Sequence, residues 1–171
     1  MNKLKTYLAC YDDFRWFSED VRGRFDDTSR YNVTSFVSVE DFMAYLEKGK
    51  DHMNCKVAIL GAHDTVEQFE MIGRLTKEIK KLDRKIGIIL ICTPDKLEDI
   101  KKIIPSDVDA YIPKNTNAII RLHNAVKKLI SEYGIINYRK RRNLSLFILG
   151  GFFLLFIILF IIARFKFPQY F

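Results

Sequence analysis

Ile86–Cys92 reads IGIILIC, an apolar run with no polar side chain to interrupt it, rich in β-branched isoleucine. It is too short for a buried helix and lacks the period-two alternation of a strand with one wet face. It therefore reads as a strand covered on both sides, as in a parallel sheet. Val57–Leu60 (VAIL) repeats the pattern, and shorter apolar runs fall at Thr6–Tyr11, Val33–Val37 and Ala110–Ile112. Amphipathic segments separate them. Phe14, Phe17, Val21 and Phe25 form one stripe at helical spacing; Val39, Phe42, Met43 and Leu46 form a second, behind a capping pair of Ser38 and Asp41. Thr65 with Gln68 opens a third helix carrying Phe69, Ile72, Leu75, Ile79 and Leu82. Leu97, Ile100 and Ile104 mark a short fourth, and Ile119, Leu122, Val126, Leu129, Ile130 and Tyr133 a fifth that continues through Gly134. Strands alternating with helices in this way predict a doubly wound α/β domain, a five-stranded parallel sheet with five helices.

The chain has 171 residues and a net charge of +7. Residues 1–137 are the size of one domain. A basic juxtamembrane flank at 138–143, a membrane helix at 144–163 and a short tail at 164–171 follow. The run from Leu144 to Ala163 (LSLFILGGFFLLFIILFIIA) carries no charge and is apolar all round, interrupted only by Ser145 and the Gly150, Gly151 pair. At about 1.5 Å per residue it matches the roughly 30 Å hydrocarbon core of a bilayer. Arg139, Lys140, Arg141 and Arg142 precede it, against Arg164 and Lys166 behind, so the positive-inside bias keeps the N-terminal domain in the cytoplasm. These expectations describe a single-pass, tail-anchored protein of the cytoplasmic or inner membrane, with a basic flank suited to anionic headgroups. MNKLKTYLACYDD does not resemble a secretory signal. The glycine pair lacks the four-residue spacing of a helix-dimer seam.

Cys10, Cys55 and Cys92 are an odd number, widely spaced, and read as buried reduced thiols. The excess of Lys and Arg lies on helix surfaces such as Lys77–Lys85 (KEIKKLDRK) and in the flank. No compact basic face with interleaved aromatics argues for nucleic acid. The lone Trp16 falls off the first apolar stripe and is either helix packing or a partner contact.

In an open parallel sheet, function sits beyond the carboxyl ends of the strands. Asp12 and Asp13 follow the first strand, Thr93 the fourth and Lys114 the fifth. Paired carboxylates, a hydroxyl and a lysine in that order resemble the bacterial response-regulator receiver domain. Tyr31–Leu46 (YNVTSFVSVEDFMAYL) is similar to the second strand and helix of receivers, and Val108–Lys114 (VDAYIPK) to their fifth strand. The resemblance runs from Leu4 to Glu132 and implies the receiver, or flavodoxin-like, fold. In that family the acid pair holds magnesium, an aspartate ending the third strand accepts a phosphoryl group, and the hydroxyl and lysine sense it. Magnesium favours carboxylate oxygens, and the phosphoryl needs cations beside it.

Two positions depart from the pattern. The third strand ends at Gly61, which has no nucleophile where receivers carry the acceptor. The nearest carboxylate is Asp64, up to about 10 Å further along an extended chain. After Lys114 stands Asn115, where receivers usually have proline. Plainer readings stand beside these. Asp13 is then a helix cap and Asp12 a solvated loop acid, or Lys114 forms an ion pair with Asp12 or Asp13, and Thr93 is a helix-opening residue before Pro94. His63 lies in the same crevice without a nucleophile partner; His52 and His123 carry less information.

Two functional classes compete. The first is a pseudo-receiver that is not an enzyme, uses no cofactor and acts through protein contacts at a membrane, with a second copy of the chain among the candidate partners. The resemblance places its interaction face at Leu97, Ile100, Tyr111, Ile119 and Leu122. The second is an active phosphoacceptor using Asp64 with magnesium held by Asp12 and Asp13. A small-ligand crevice is a third, weaker alternative, since DDFRW (Asp12–Trp16) stands where a glycine-rich phosphate loop would be.

Overall fold

The computed structural model describes residues 5–12, 16–48, 55–62, 65–104 and 107–166, without the side chains at 16–18, 66, 136–141, 144, 159–160 and 162–166. The chain divides into two compact units, Met1–Ser131 and Glu132–Phe171.

The first unit is built on five parallel strands: β1 (Thr6–Tyr11), β2 (Tyr31–Phe36), β3 (Cys55–Gly61), β4 (Gly87–Cys92) and β5 (Ala110–Pro113), in the order β2-β1-β3-β4-β5. Helices alternate with them: α1 (Trp16–Arg24), α2 (Val39–Lys48), α3 (Val66–Leu82), α4 (Leu97–Ile103) and α5, which starts at Ala118 and runs to Lys166. The expected α/β sheet is therefore present. Its central strands β3 and β4 are buried almost throughout, which is why their sequences are continuous apolar runs.

Alternation along the strands sorts the core into two layers. Ala9, Tyr11, Ala58, Leu60, Ile88 and Leu90 pack with Phe42 and Leu46 of α2, with Phe69, Ile72, Leu75 and Ile79 of α3, and with Ile100 and Ile104. Their neighbours in sequence, such as Leu8, Cys10, Ile59 and Ile89, are equally buried and point to the other face, where Val21 of α1, Phe25 just after that helix, and Leu122 and Val126 of α5 are buried. Gly87 lets the two layers close: a Cβ built on it would stand 2.7 Å from Leu129 Cδ1.

Local signals are realised unevenly. Ser38 Oγ accepts from the Asp41 amide at 3.3 Å and donates to Glu40 at 2.7 Å, so the expected cap of α2 forms. Thr65 occupies the N-cap position of α3 but makes no side-chain cap bond, contrary to the Thr65–Gln68 expectation. The three cysteines form no disulfide and are buried.

Of the second unit, the described part is the remainder of α5. The transmembrane helix expected over Leu144–Ala163 is not shown: among the described residues no helix is long and apolar enough to cross a membrane. The described side chains of the apolar run are continuous only from Ser145 to Ile158, about 21 Å of helix. Within this stretch Phe147 is 82% exposed and Phe152 72%. Among the described residues, nothing stands within 4 Å of a Cβ built on Gly150 or Gly151.

Candidate functional site

Strand register brings four of the expected residues into one row. Tyr11 pairs with Leu60, so Asp12 and Gly61, one step further on, end neighbouring strands. Gly61 pairs with Ile91 and Cys92 with Pro113, which sets Thr93 and Lys114 at the next two tips. Backbone bonds fix the loops there: Ala62 N–H donates to Ile91 O at 2.8 Å, Lys114 N–H to Cys92 O at 2.7 Å and Asp12 N–H to Phe36 O at 3.3 Å. Asp13, His63 and Asp64 lie outside the described residues.

Asp12 is 8% exposed, which overturns its reading as a solvated loop acid. Its carboxylate lies over the end of β3, since a Cβ on Gly61 would meet Asp12 Cγ and Oδ1 at 3.2 Å. An acceptor side chain at this position would have to displace Asp12 and place a second negative charge against it. At the strand tips Asp12 is the one carboxylate among the described residues, and no group of three His, Cys, Asp or Glu side chains is gathered there to hold a metal ion.

Thr93, in extended backbone, precedes the single 3-10 turn Pro94–Lys96 and accepts Lys96 N–H on its carbonyl at 3.2 Å, with no side-chain cap. Its position is that of the helix-opening residue. Asn115 takes over the turn into α5: its side-chain oxygen accepts from the Asn117 amide at 3.1 Å and its carbonyl from Ala118 at 2.8 Å. An Asx turn thus stands where the resemblance expected proline.

Beside the row, between the ends of β1 and β2, is a cavity of about 510 Å³ lined by Cys10, Asp12, Glu19, Arg22, Ser35 and Asp41 among others. Burial pushes the Cys10 thiol up to about 12, with Asp12 adding to the rise and Arg22 opposing it. A thiol so far from ionising is a packing group and not a nucleophile.

The interaction face needs correction. Ile100 and Leu122 are fully buried, because the stripes to which they belong are the faces of α4 and α5 turned to the sheet. Leu97, Tyr111 and Ile119 are half-buried. Within the first unit, the large apolar residues exposed on the described parts of these helices are Ile103, at 44%, and Ile120, at 54%, both off the stripes. Tyr111 donates its hydroxyl to Ile104 O, tying β5 to the end of α4. Desolvation holds this phenol above its ordinary value, with smaller contributions from Cys92 and Asp107. His123, passed over in the sequence, accepts from Arg24 at 3.2 Å and stacks edge-on to Phe25 at 5.6 Å. A contact across 99 residues of chain leaves no local signal.

No family signature and no curated protein matches the chain. Solved structures do. A CheY-like response regulator receiver domain from Methanospirillum hungatei JF-1 is 20% identical with a TM-score of 0.58, covering 77% of this chain and 98% of its own. A response regulator receiver domain from Clostridium thermocellum is 15% identical with a TM-score of 0.61, covering 78% and 99%. An adenylate cyclase from Rhodopirellula baltica is 12% identical, again with a TM-score of 0.61, covering 81% and 96%. The chain has the receiver fold, as the resemblance implied, and at these identities the likeness is one of fold. The same architecture occurring under an enzyme's name keeps fold and activity separate.

Proposed function

We propose that the chain is a membrane-tethered signalling module of receiver fold that works by protein contacts and is not phosphorylated at the tip of its middle strand. One observation carries the reading: β3 ends on Gly61, and the Asp12 carboxylate lies 3.2 Å from where a Cβ would begin. The position lacks a nucleophile, and a Cβ added there would require the Asp12 side chain to give by a few tenths of an ångström. The receiver fold of the neighbours supports a signalling role.

The tether is supported by the uncharged run Leu144–Ala163 and by the exposure of its large apolar side chains, Phe152, Phe153 and Phe156 among them. Apolar surface on this scale calls for lipid or another protein to cover it. With Arg139–Arg142 on the N-terminal side, the receiver-fold unit faces the cytoplasm. Its partners are proteins of the same membrane or recruited to it.

Incubating the full chain with acetyl phosphate and magnesium, followed by intact-mass measurement, separates this reading from an active receiver. The expected result is no added phosphoryl group. A phosphoryl adduct that disappears in Asp64→Asn establishes the alternative, with Asp64 as acceptor.

A further inference from the structure

The charges of the receiver-fold unit are sorted by sheet edge. Acids fill the first turns of the helices, Glu40 and Asp41 in α2, Glu67 in α3, Glu98 and Asp99 in α4. Because each helix runs back against the strands, these turns stand at the carboxyl edge, beside the Asp12 row. Bases fill the last turns, Lys48 in α2, Lys80 and Lys81 in α3, Lys101 and Lys102 in α4, at the amino edge. Helix dipoles account for bases within a last turn. They do not account for Arg84 and Lys85, which are exposed and lie beyond the C-cap residue Asp83.

Two of the acids near that turn are engaged. Asp109 accepts from Lys80 at 2.9 Å and from the Ile88 amide at 2.7 Å, and Asp83 accepts from the Lys85 amide at 2.9 Å. Lys81, Arg84 and Lys85 are left as an exposed basic cluster just before β4. The chain leaves the unit at this same place: Leu129 lies against Gly87, the first residue of β4, and the unit ends at Ser131. In sequence, Arg139–Arg142 continue the positive charge.

We infer that Lys81, Arg84 and Lys85 form a docking surface for anionic lipid headgroups of the bilayer that holds the tail. The inference rests on the tether proposed above. Docking turns the basic amino edge toward lipid and the acidic carboxyl edge, with the Asp12 row, toward the cytoplasm. A basic side chain near an anionic surface changes association about fivefold, so these act together at roughly a hundredfold, and salt weakens them over about a Debye length.

The test uses the full chain in vesicles whose acceptor dye is on the lipid headgroup, with a donor on Glu78→Cys beside the cluster or, separately, on Asp95→Cys at the opposite edge. In phosphatidylserine vesicles, transfer from position 78 is expected to exceed transfer from position 95. The difference should vanish in phosphatidylcholine alone, in high salt and in Lys81→Glu/Arg84→Glu/Lys85→Glu. Transfer that ignores lipid charge and salt in the unreversed chain overturns the inference without relying on the triple variant. If the chain still floats with neutral vesicles after an alkaline wash, only the docking surface is lost; if it does not float, the tether fails and the inference with it.

Discussion

Gly87 shows how much one missing methyl group decides. Its absent Cβ leaves the space that Leu129 fills, with Cδ1 at 2.7 Å and Cδ2 at 3.3 Å. Gly87→Ala forces the end of a leucine side chain to move, and its expected cost is about 1 kcal/mol, the low end for overpacking. Urea unfolding should also show that Gly87→Ala and Leu129→Ala combined cost less than their sum, because the smaller leucine replacement makes the room. Additive losses would mean that the two residues do not share this space. His123 gives a second prediction. Desolvation, aided by Lys127 and Arg24, holds its imidazole below the ordinary 6.5, and its Nδ1 accepts a bond from Arg24 only when unprotonated. The unfolded chain binds the proton more readily. The stabilisation is therefore fully present above pH 6.5 and is lost as pH falls through the lowered value. A nuclear magnetic resonance titration should find the midpoint below 6.5 and moved upward by Arg24→Gln; a midpoint at or above 6.5 contradicts the contact.

Among elements, the join between α3, β4 and β5 is fastened at the amino edge by polar groups. Asp109 takes Ile88 N–H and Lys80 Nζ, and Lys80 also donates to Ile86 O at 2.9 Å. Asp109→Ala leaves the Ile88 amide without its acceptor and takes from Lys80 its carboxylate partner, leaving it the Ile86 carbonyl, and should cost about 1–3 kcal/mol in urea unfolding. Asp109→Asn keeps an oxygen for the amide and should cost less. Equal losses would assign the effect to charge alone. The elements themselves were legible in sequence where one period dominated: β4 stands within one residue of its apolar run, and α2 carries its stripe and cap where Ser38 and Asp41 placed them. Legibility failed at faces. The stripes containing Ile100 and Leu122 were correctly helical, but a stripe states which side is apolar and not whether sheet or partner covers it. Here the sheet does.

At the scale of the whole molecule, the receiver-like row was legible because a parallel sheet gathers its strand ends. Residues as far apart in sequence as Asp12, Gly61, Thr93 and Lys114 become neighbours once strand order is fixed. The coordination around Asp12 was not legible, since burial of a loop acid depends on packing by elements remote in the chain. The sorting of charge between the two sheet edges belongs to this scale too. It arises because the helices run antiparallel to the strands and α2, α3 and α4 follow the same dipole preference, whereas α5 carries no acid in its first turn. Small local choices thus add up to a domain with a positive and a negative pole.

The glycine at the end of β3 also limits how long the domain can remember an event. An acyl phosphate on an aspartate persists until water cleaves it, after the donor has gone, and Gly61 offers no atom on which such a bond could be made. Under the reading proposed above, a state held at this strand tip is kept by occupancy alone and ends when the occupant dissociates.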